Sequence, residues 1–118
     1  MATSLLFALF SDLPALAGPA DVVAARLSPQ SDGRFTAEVT VRHADTGWEH
    51  YADLWEVLTP AGDLLGARTL FHPHVEEQPF TRSLRDIEIP PEIETVVIRA
   101  RDSLHGFGGA ELTVEVPR

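Results

Sequence analysis

Five histidines are the residues of this 118-residue chain whose side chains are best suited to metal chemistry, and two of them stand close together. The stretch FHPHVEEQPF carries His72 and His74 on either side of a proline. Neutral imidazole is a good ligand for Zn²⁺, Cu²⁺ and Ni²⁺. Proline favours an extended conformation for His72, and alternate residues of an extended chain lie on one side of the backbone. The spacing predicts a chelating pair; the alternative is the polar exit of a strand packed through Val75 and Phe80.

The residues between the histidines predict an all-β domain. Runs rich in Val, Thr, Ile and Phe are separated by Gly, Pro and Asp, which are turn residues. In the run RFTAEVTVRH, apolar Phe35, Ala37, Val39 and Val41 alternate with polar residues. This period of two is typical of a strand that buries one face and exposes the other.

Seven strands are expected, over residues 20–28, 34–43, 50–59, 64–71, 79–89, 93–102 and 110–116. The fifth is predicted to be bulged near Arg85 and Asp86, because the apolar residues in its two halves have opposite parity. Seven short antiparallel strands, with Trp55 in the third, indicate an immunoglobulin-like or fibronectin-type sandwich. A small barrel is the alternative architecture.

The order of the strands predicts where the histidines gather. Successive antiparallel strands alternate in direction, so every second connection lies at the same end of the sandwich. The connections after the second, fourth and sixth strands share one end, and we call that end the histidine pole. All five histidines flank or lie within these connections: His43, His50, His72, His74 and His105.

Two residues continue the buried faces of their strands into this pole. His43 follows the phase of Phe35 to Val41, and Asp102 follows that of Val96 to Ala100. The second and sixth strands of such a sandwich face each other, so His43 and Asp102 are expected to meet at the rim of the core. A carboxylate that accepts from one imidazole nitrogen leaves the other free for a metal. Alternatively, Asp102 simply satisfies a half-buried histidine.

These features predict a divalent transition metal site, with copper or zinc as the ion. Its expected ligands are His72 and His74 as the chelating pair, His43 or His50 as the third and His105 as a fourth, with Asp102 orienting a ring. The alternative for His105 is an exposed position in the loop HGFGG. A different function is a protein-interaction or purely structural module, whose pole would contact a partner through Trp48 and Phe107 in a pH-dependent manner.

Composition excludes several other classes of function. The chain has 9 basic and 18 acidic residues, a formal net charge of -9, which disfavours nucleic acid and anionic lipid as partners. It has no cysteine, which removes disulfides, thiolate metal sites and cysteine nucleophiles. Signatures such as G-x-S-x-G, the P-loop and H-E-x-x-H do not occur. We therefore expect a protein that is not an enzyme.

The first 19 residues are a candidate signal peptide or, alternatively, an N-terminal extension, and residues 20–118 are expected to form a single β-sandwich domain. The leader has an apolar run from Leu5 to Phe10 and the small-x-small pattern Ala15-Leu16-Ala17, although it lacks a basic start. A genuine signal would make the protein periplasmic or secreted, and without one it would be cytoplasmic. No later run has the roughly 20 apolar residues of a membrane span.

Three stretches, VTVRHADTGWEHYADLWEV, LFHPHVEEQPFTRSL and IRARDSLHGFGG, resemble a group of small exported bacterial proteins with an apolar leader and one β-sandwich. The resemblance covers roughly residues 20 to 117. It implies export and a single domain. The group is uncharacterised, so the resemblance implies no activity and no ligand.

Overall fold

A computed structural model describes residues 18–118 of the protein. The candidate signal peptide thus lies almost wholly outside the described residues. Eight strands form within them: β1 Asp21–Pro29, β2 Phe35–Arg42, β3 Ala52–Leu58, β4 Leu64–Thr69, β5 Phe80–Ile87, β6 Thr95–Asp102, β7 Gly106–Phe107 and β8 Leu112–Glu115.

The strands form two antiparallel sheets. One has the order β1-β2-β5, and the other has the order β4-β3-β6-β7, with β8 also paired to β6. The expected all-β class with two packed sheets is confirmed, but the expected count of seven strands is wrong. The additional strand is β7, in which Gly106 and Phe107 pair with Asp102 and Arg101. Two residues are too few to carry the alternating pattern that reveals a strand in a sequence.

Strand β2 supplies the middle of the smaller sheet's inner face. Phe35, Ala37, Val39 and Val41 are all buried, and the residues between them are not. They pack in the same core cluster as Trp55 of β3, which is fully buried. Each large apolar side chain in such a core stabilises the fold by about 1.5 to 3 kcal/mol. The core therefore fixes the direction and register of the strands that end at the histidine pole.

Strand β5 carries the predicted bulge. Its pairing with β2 shifts register between Phe35↔Ile87 and Ala37↔Leu84, so Arg85 and Asp86 stand where the partner has one residue. Asp86 takes a φ of 63°, in the left-handed region. The extra residue moves the second half of β5 onto the opposite parity, which is why Leu84 and Ile87 both face inward.

The three connections with histidines meet at one end of the sandwich. The backbone N–H of His74 donates to Asp45 at 2.7 Å, and that of His43 donates to the side chain of Gln78 at 2.9 Å. His43 also contacts Asp102, at the end of β6. The predicted histidine pole is therefore present. Among the described residues, no helix is long and apolar enough to cross a bilayer.

Candidate metal centre

His43 and Asp102 meet at the ends of two facing strands. His43 follows β2 directly and Asp102 ends β6, and both side chains are buried. His43 Nε2 lies 3.0 Å from Asp102 Oδ2. The predicted contact is present, because the alternation that buries Val41 and Ala100 continues one step beyond each of them.

Asp45 fixes the ring of His43 from behind. Its Oδ1 lies 2.6 Å from His43 Nδ1 and accepts the backbone N–H of Ala52 at 3.0 Å. Its Oδ2 accepts the backbone N–H of His74 at 2.7 Å. Because both oxygens accept from backbone donors, Asp45 is an acceptor toward His43, and Nδ1 carries a proton. In the neutral ring, Nε2 therefore presents its lone pair toward Asp102.

His50 comes from a tight turn just before β3. Its backbone N–H donates to Gly47 O at 3.2 Å, and its carbonyl accepts from Thr46 at 3.0 Å. The turn directs His50 Nε2 to 3.0 Å from Asp102 Oδ2 and 3.2 Å from His43 Nε2. The two rings meet edge to face, with centroids 4.7 Å apart.

Asp102 is anchored on one oxygen and exposes the other to the histidines. Its Oδ1 accepts the backbone N–H groups of Leu104, at 3.0 Å, and of His105. Its Oδ2 faces His43, His50 and also His105 Nδ1, at 2.9 Å. Burial alone would raise the pKa of the Asp102 carboxyl, but hydrogen bonds from His105 and His50 outweigh it and hold that pKa well below its usual range.

The loop of His105 is a three-residue hairpin between β6 and β7. Asp102 pairs with Gly106, and residues 103–105 turn the chain. Gly106 has a φ of 77°, which glycine adopts without the steric penalty of a Cβ. The hairpin places His105 against the carboxylate of Asp102, and the residue is also exposed, as the alternative for the loop HGFGG expected.

Three atoms converge on one point: His43 Nε2, His50 Nε2 and Asp102 Oδ2. With Nδ1 of His43 protonated, the contact between its Nε2 and Asp102 Oδ2 joins two acceptors. Because the lowered pKa of Asp102 keeps its carboxyl ionised, such a contact is stable if His43 carries a second proton or if a cation lies between the atoms. Ligand atoms around a tetrahedral Zn²⁺ ion are roughly 3.3 to 3.4 Å apart, given bonds of about 2.0 to 2.1 Å. The separations here are close to that value.

The charge state of His43 follows from its two carboxylate neighbours. Burial would lower the pKa of its imidazole, but hydrogen bonds and attraction from Asp45 and Asp102 together outweigh burial and raise the pKa above its ordinary value. Without a metal, these carboxylates therefore favour the imidazolium form. A proton and a metal ion would compete for the same Nε2 lone pair.

His72 and His74 lie side by side, apart from these converging atoms. Their ring centroids are 4.8 Å apart. His74 is buried and stacks on Phe80, with ring centroids 4.0 Å apart. Its Nε2 accepts a hydrogen bond from the guanidinium of Arg82 at 2.8 Å. Its Nδ1 is buried and has no hydrogen-bond partner within residues 18–118. Burial, followed by repulsion from Arg82 and His72, lowers the pKa of His74.

The surroundings of His74 determine whether its ring nitrogens can bind an ion in the predicted chelating pair. Because the lone pair of His74 Nε2 accepts from Arg82, and the other nitrogen is buried, His74 has no free lone pair to offer an ion. His72 is exposed. A metal role for His72 and His74 stays a prediction from the sequence. The ligand atoms that converge in the structure belong to His43, His50 and Asp102.

Sequence reasoning missed Asp45. It lies two residues after His43 in the loop ADTGWE, a spacing that puts both side chains on one side of an extended backbone. That spacing was a usable signal. No sequence pattern indicates the loop conformation in which both oxygens of Asp45 accept from backbone N–H groups.

The two aromatic residues of the interaction hypothesis differ in their surroundings. Trp48 is exposed and meets Tyr51 edge to face at 5.6 Å. Phe107 is partly buried under the guanidinium of Arg99, which lies 3.8 Å from the ring centroid. Of the two, Trp48 has the more accessible surface.

Comparisons with known proteins add one relative. No protein-family model matches the chain, and no solved structure matches it. The chain is similar to a protein of Halomicrobium mukohataei named "Putative lipoprotein", with 43% identity over 96 residues. The aligned region is 81% of this chain and 47% of the relative. The chain therefore spans about half the length of the curated relative it matches.

Proposed function

We propose that this protein is a non-catalytic β-sandwich that binds one divalent transition metal ion, copper or zinc, at its histidine pole. The observation that carries the proposal is the convergence of two imidazole Nε2 atoms and one carboxylate oxygen, from His43, His50 and Asp102, at separations of 3.0 to 3.2 Å. Two imidazoles and a carboxylate are a donor set that suits zinc and copper in the divalent state.

The surroundings of His43 support a metal role. A metal-bound histidine usually donates its other ring N–H to a carboxylate, which fixes the tautomer and raises the basicity of the ligating nitrogen. Asp45 takes that position, 2.6 Å from His43 Nδ1. In this proposal Asp102 is a ligand, and Asp45 has the orienting role that the sequence had assigned to Asp102. His105 holds the carboxylate of Asp102 in place.

The fold within this proposal is an immunoglobulin-like, fibronectin-type sandwich. Its support is the strand order, with β1-β2-β5 in one sheet and β4-β3-β6 followed by β8 in the other, and the buried Trp55 on β3. Such a sandwich gathers alternate connections at one end, which is where the proposed site lies.

We also infer that the protein is exported to the cell envelope, in the periplasm or outside the cell. The support is the apolar run from Leu5 to Phe10 and a relative named as a lipoprotein. These 118 residues contain no cysteine, the residue that carries thioether- and thioester-linked lipid. Mass spectrometry of the full chain expressed with its leader tests export: an envelope form that begins at Gly18 supports it, and an intact form confined to the cytoplasm contradicts it.

Thermal unfolding of the chelator-treated full chain tests metal binding. An ion at 100 times its dissociation constant stabilises the native state by about 2.7 kcal/mol, which raises the unfolding midpoint. We expect the shift with Zn²⁺ or Cu²⁺ and its loss in His50→Ala and in the milder His50→Gln. His72→Ala is the matched control, because that residue is exposed and outside the converging atoms, and it should keep the shift. A shift that survives His50→Gln, or no shift in the wild type, would overturn the proposal.

A second candidate function is protein interaction without a metal. The specific observation is that the histidine pole exposes large apolar side chains, including Trp48 at 66% and Phe71 at 74%. Exposed aromatic residues are enriched in protein interfaces. If metals leave the unfolding midpoint unchanged, this function becomes the stronger one. The corresponding test is whether Trp48→Ala abolishes binding to a partner found by cross-linking in cells.

A further inference from the structure

The proposed metal centre is supplied by three protein atoms that occupy one face of a coordination sphere. His43 Nε2, His50 Nε2 and Asp102 Oδ2 form a triangle with sides of 3.2, 3.0 and 3.0 Å. Three ligands in this arrangement leave one position of a tetrahedral ion, and more positions of an octahedral ion. Sites with four protein ligands are typical of structural zinc, whereas an open position lets an ion bind an external ligand.

His105 is the nearest side chain that could close the sphere, but its geometry directs it elsewhere. Its Nδ1 lies 2.9 Å from Asp102 Oδ2, and its backbone N–H donates to Oδ1 of the same carboxylate. Among residues 18–118, the candidate ligand atoms that all lie within 4.8 Å of one another belong to His43, His50 and Asp102, and His105 is not in that group. His105 therefore braces the carboxylate instead of filling the fourth position.

The exposed side of the triangle is the side of His50 and His105. The side chains of His43 and Asp102 are 1% and 0% exposed, whereas those of His50 and His105 are 15% and 38% exposed. The buried side is occupied by Asp45 and the backbone groups that it accepts from. The solvent therefore lies nearest to the converging atoms on the side of His50 and His105, and this is the side from which an external ligand would enter.

Charge decides what kind of ligand fits. Among the coordinating groups, two neutral imidazoles and the carboxylate of Asp102 leave a divalent ion with one unit of positive charge. The carboxylate of Asp45, 2.6 Å from His43 Nδ1, offsets part of that charge from behind the ring, so the site accommodates at most one monoanion. The chain as a whole has a formal net charge of -9, so a phosphate or another multiply charged anion meets a repulsive field. The combination favours a small monoanion with an oxygen or nitrogen donor atom.

From these observations we propose that the histidine pole binds a small monoanion directly on the metal ion, at a coordination position that the protein leaves open. This inference rests on the proposed metal function. The class of ligand includes hydroxide and simple carboxylates, and azide is a suitable probe because it is a compact monoanion with a nitrogen donor.

Cobalt substitution tests the inference, because the visible spectrum of protein-bound Co²⁺ reports its ligands. The full chain would be loaded with Co²⁺ and titrated with sodium azide, with formate as a carboxylate probe and phosphate as the multiply charged comparison. We expect saturable spectral changes with azide and formate and a weaker response to phosphate. His50→Gln, which removes a ligand, should abolish the cobalt bands and therefore the response to azide.

His105→Ala separates an open position from one closed by that histidine. This variant should bind Co²⁺ about 10- to 100-fold more weakly, as expected on removing a partner of a ligand, but should respond to azide as the wild type does. A response to azide in His105→Ala alone would show that His105 fills the position in the wild type, and would overturn the inference. Cobalt bands without any azide response would overturn it while leaving metal binding intact. No cobalt bands in the wild type would overturn both proposals.

Discussion

His43 Nε2 lies 3.0 Å from Asp102 Oδ2, although the two residues are 59 positions apart and lie at the ends of two strands, β2 and β6, of different sheets. Both side chains are buried, so their contact is shielded from solvent. The same Asp102 oxygen contacts His50 and His105, which makes it the common neighbour of three rings. The properties of the pole should therefore depend on this one carboxylate more than on any single histidine.

The first prediction concerns Asp102→Asn. Asp102 Oδ1 accepts two backbone N–H groups, so the amide oxygen of asparagine will take that place and its NH₂ group will face His43 and His50. A donor there cannot bind a metal, and metal-induced stabilisation should vanish. Loss of the buried charge should destabilise the metal-free protein by about 1 to 3 kcal/mol, measurable by denaturant unfolding.

The matched control is Asp53→Asn. Asp53 pairs with Arg101 on a partly exposed face, at 3.0 Å, away from the converging atoms. This variant loses one carboxylate of the same kind and should keep the metal-induced shift in unfolding midpoint. If both asparagine variants lose the shift equally, general electrostatics and not ligation explains the effect.

The second prediction concerns Asp45→Asn. Asparagine cannot accept at both oxygen positions, so His43 loses its firm acceptor or a backbone N–H of Ala52 or His74 loses its partner. Metal affinity should fall by about 10- to 100-fold while the stoichiometry stays at one ion per chain. Competition with a chelating dye measures both quantities. An unchanged affinity would show that Asp45 stabilises the loop without orienting the ring.

The buried contacts between strand ends could be predicted from the sequence, because alternation within a strand is strict. Once Phe35 to Val41 face the core, the position of His43 is fixed, and the same holds for Asp102 after Ala100. The alternate placement of connections then brings these residues to one pole. The all-β class with two sheets and the bulge in β5 could be predicted for the same reason.

Contacts within the loops could not be predicted in this way. The rings of His72 and His74 do lie close together, as an extended His-x-His requires, but no sequence pattern indicates that Arg82 approaches His74 Nε2. Arg82 lies on β5, and whether its guanidinium contacts His74 depends on the conformation of the connection before that strand. The role of Asp45 likewise depends on backbone N–H groups from two other segments.

The third prediction concerns the glycine that closes the His105 hairpin. Gly106→Ala places a side chain at a φ of 77°, and the added Cβ would meet no atom within 4 Å, so only the backbone penalty of about 1 to 2 kcal/mol applies. Relief of this strain should shift the loop that holds Asp102, and metal affinity should fall by about tenfold.

Gly62→Ala is its control. Gly62 has a φ of 98°, an added Cβ there also meets no atom within 4 Å, and the turn lies at the opposite pole. The two variants should lose similar stability in denaturant unfolding of the metal-free protein, whereas only Gly106→Ala should bind metal more weakly. Equal metal affinities would show that the hairpin geometry does not determine the site.

The fourth prediction concerns protons. Asp45 and Asp102 raise the pKa of His43 against the effect of burial, so the metal-free protein binds a proton there that the unfolded chain binds less tightly. That interaction stabilises the native state fully below the unfolded value of 6.5, and its contribution is lost as pH rises through the higher folded value. A metal ion needs the same lone pair and must displace the proton. Metal affinity should therefore rise with pH over the range in which metal-free stability falls.

Calorimetric titration with Zn²⁺ in two buffers of different ionisation enthalpy counts the protons released. Near pH 6.5 we expect release of about one proton from His43 for each ion bound, declining toward zero as pH rises above the folded pKa. His72→Ala should release the same number, because residue 72 is exposed and outside the converging atoms. Zinc binding without proton release at pH 6.5 would mean that the ion binds away from His43, since a buried imidazolium between two carboxylates cannot ligate a metal without giving up its proton.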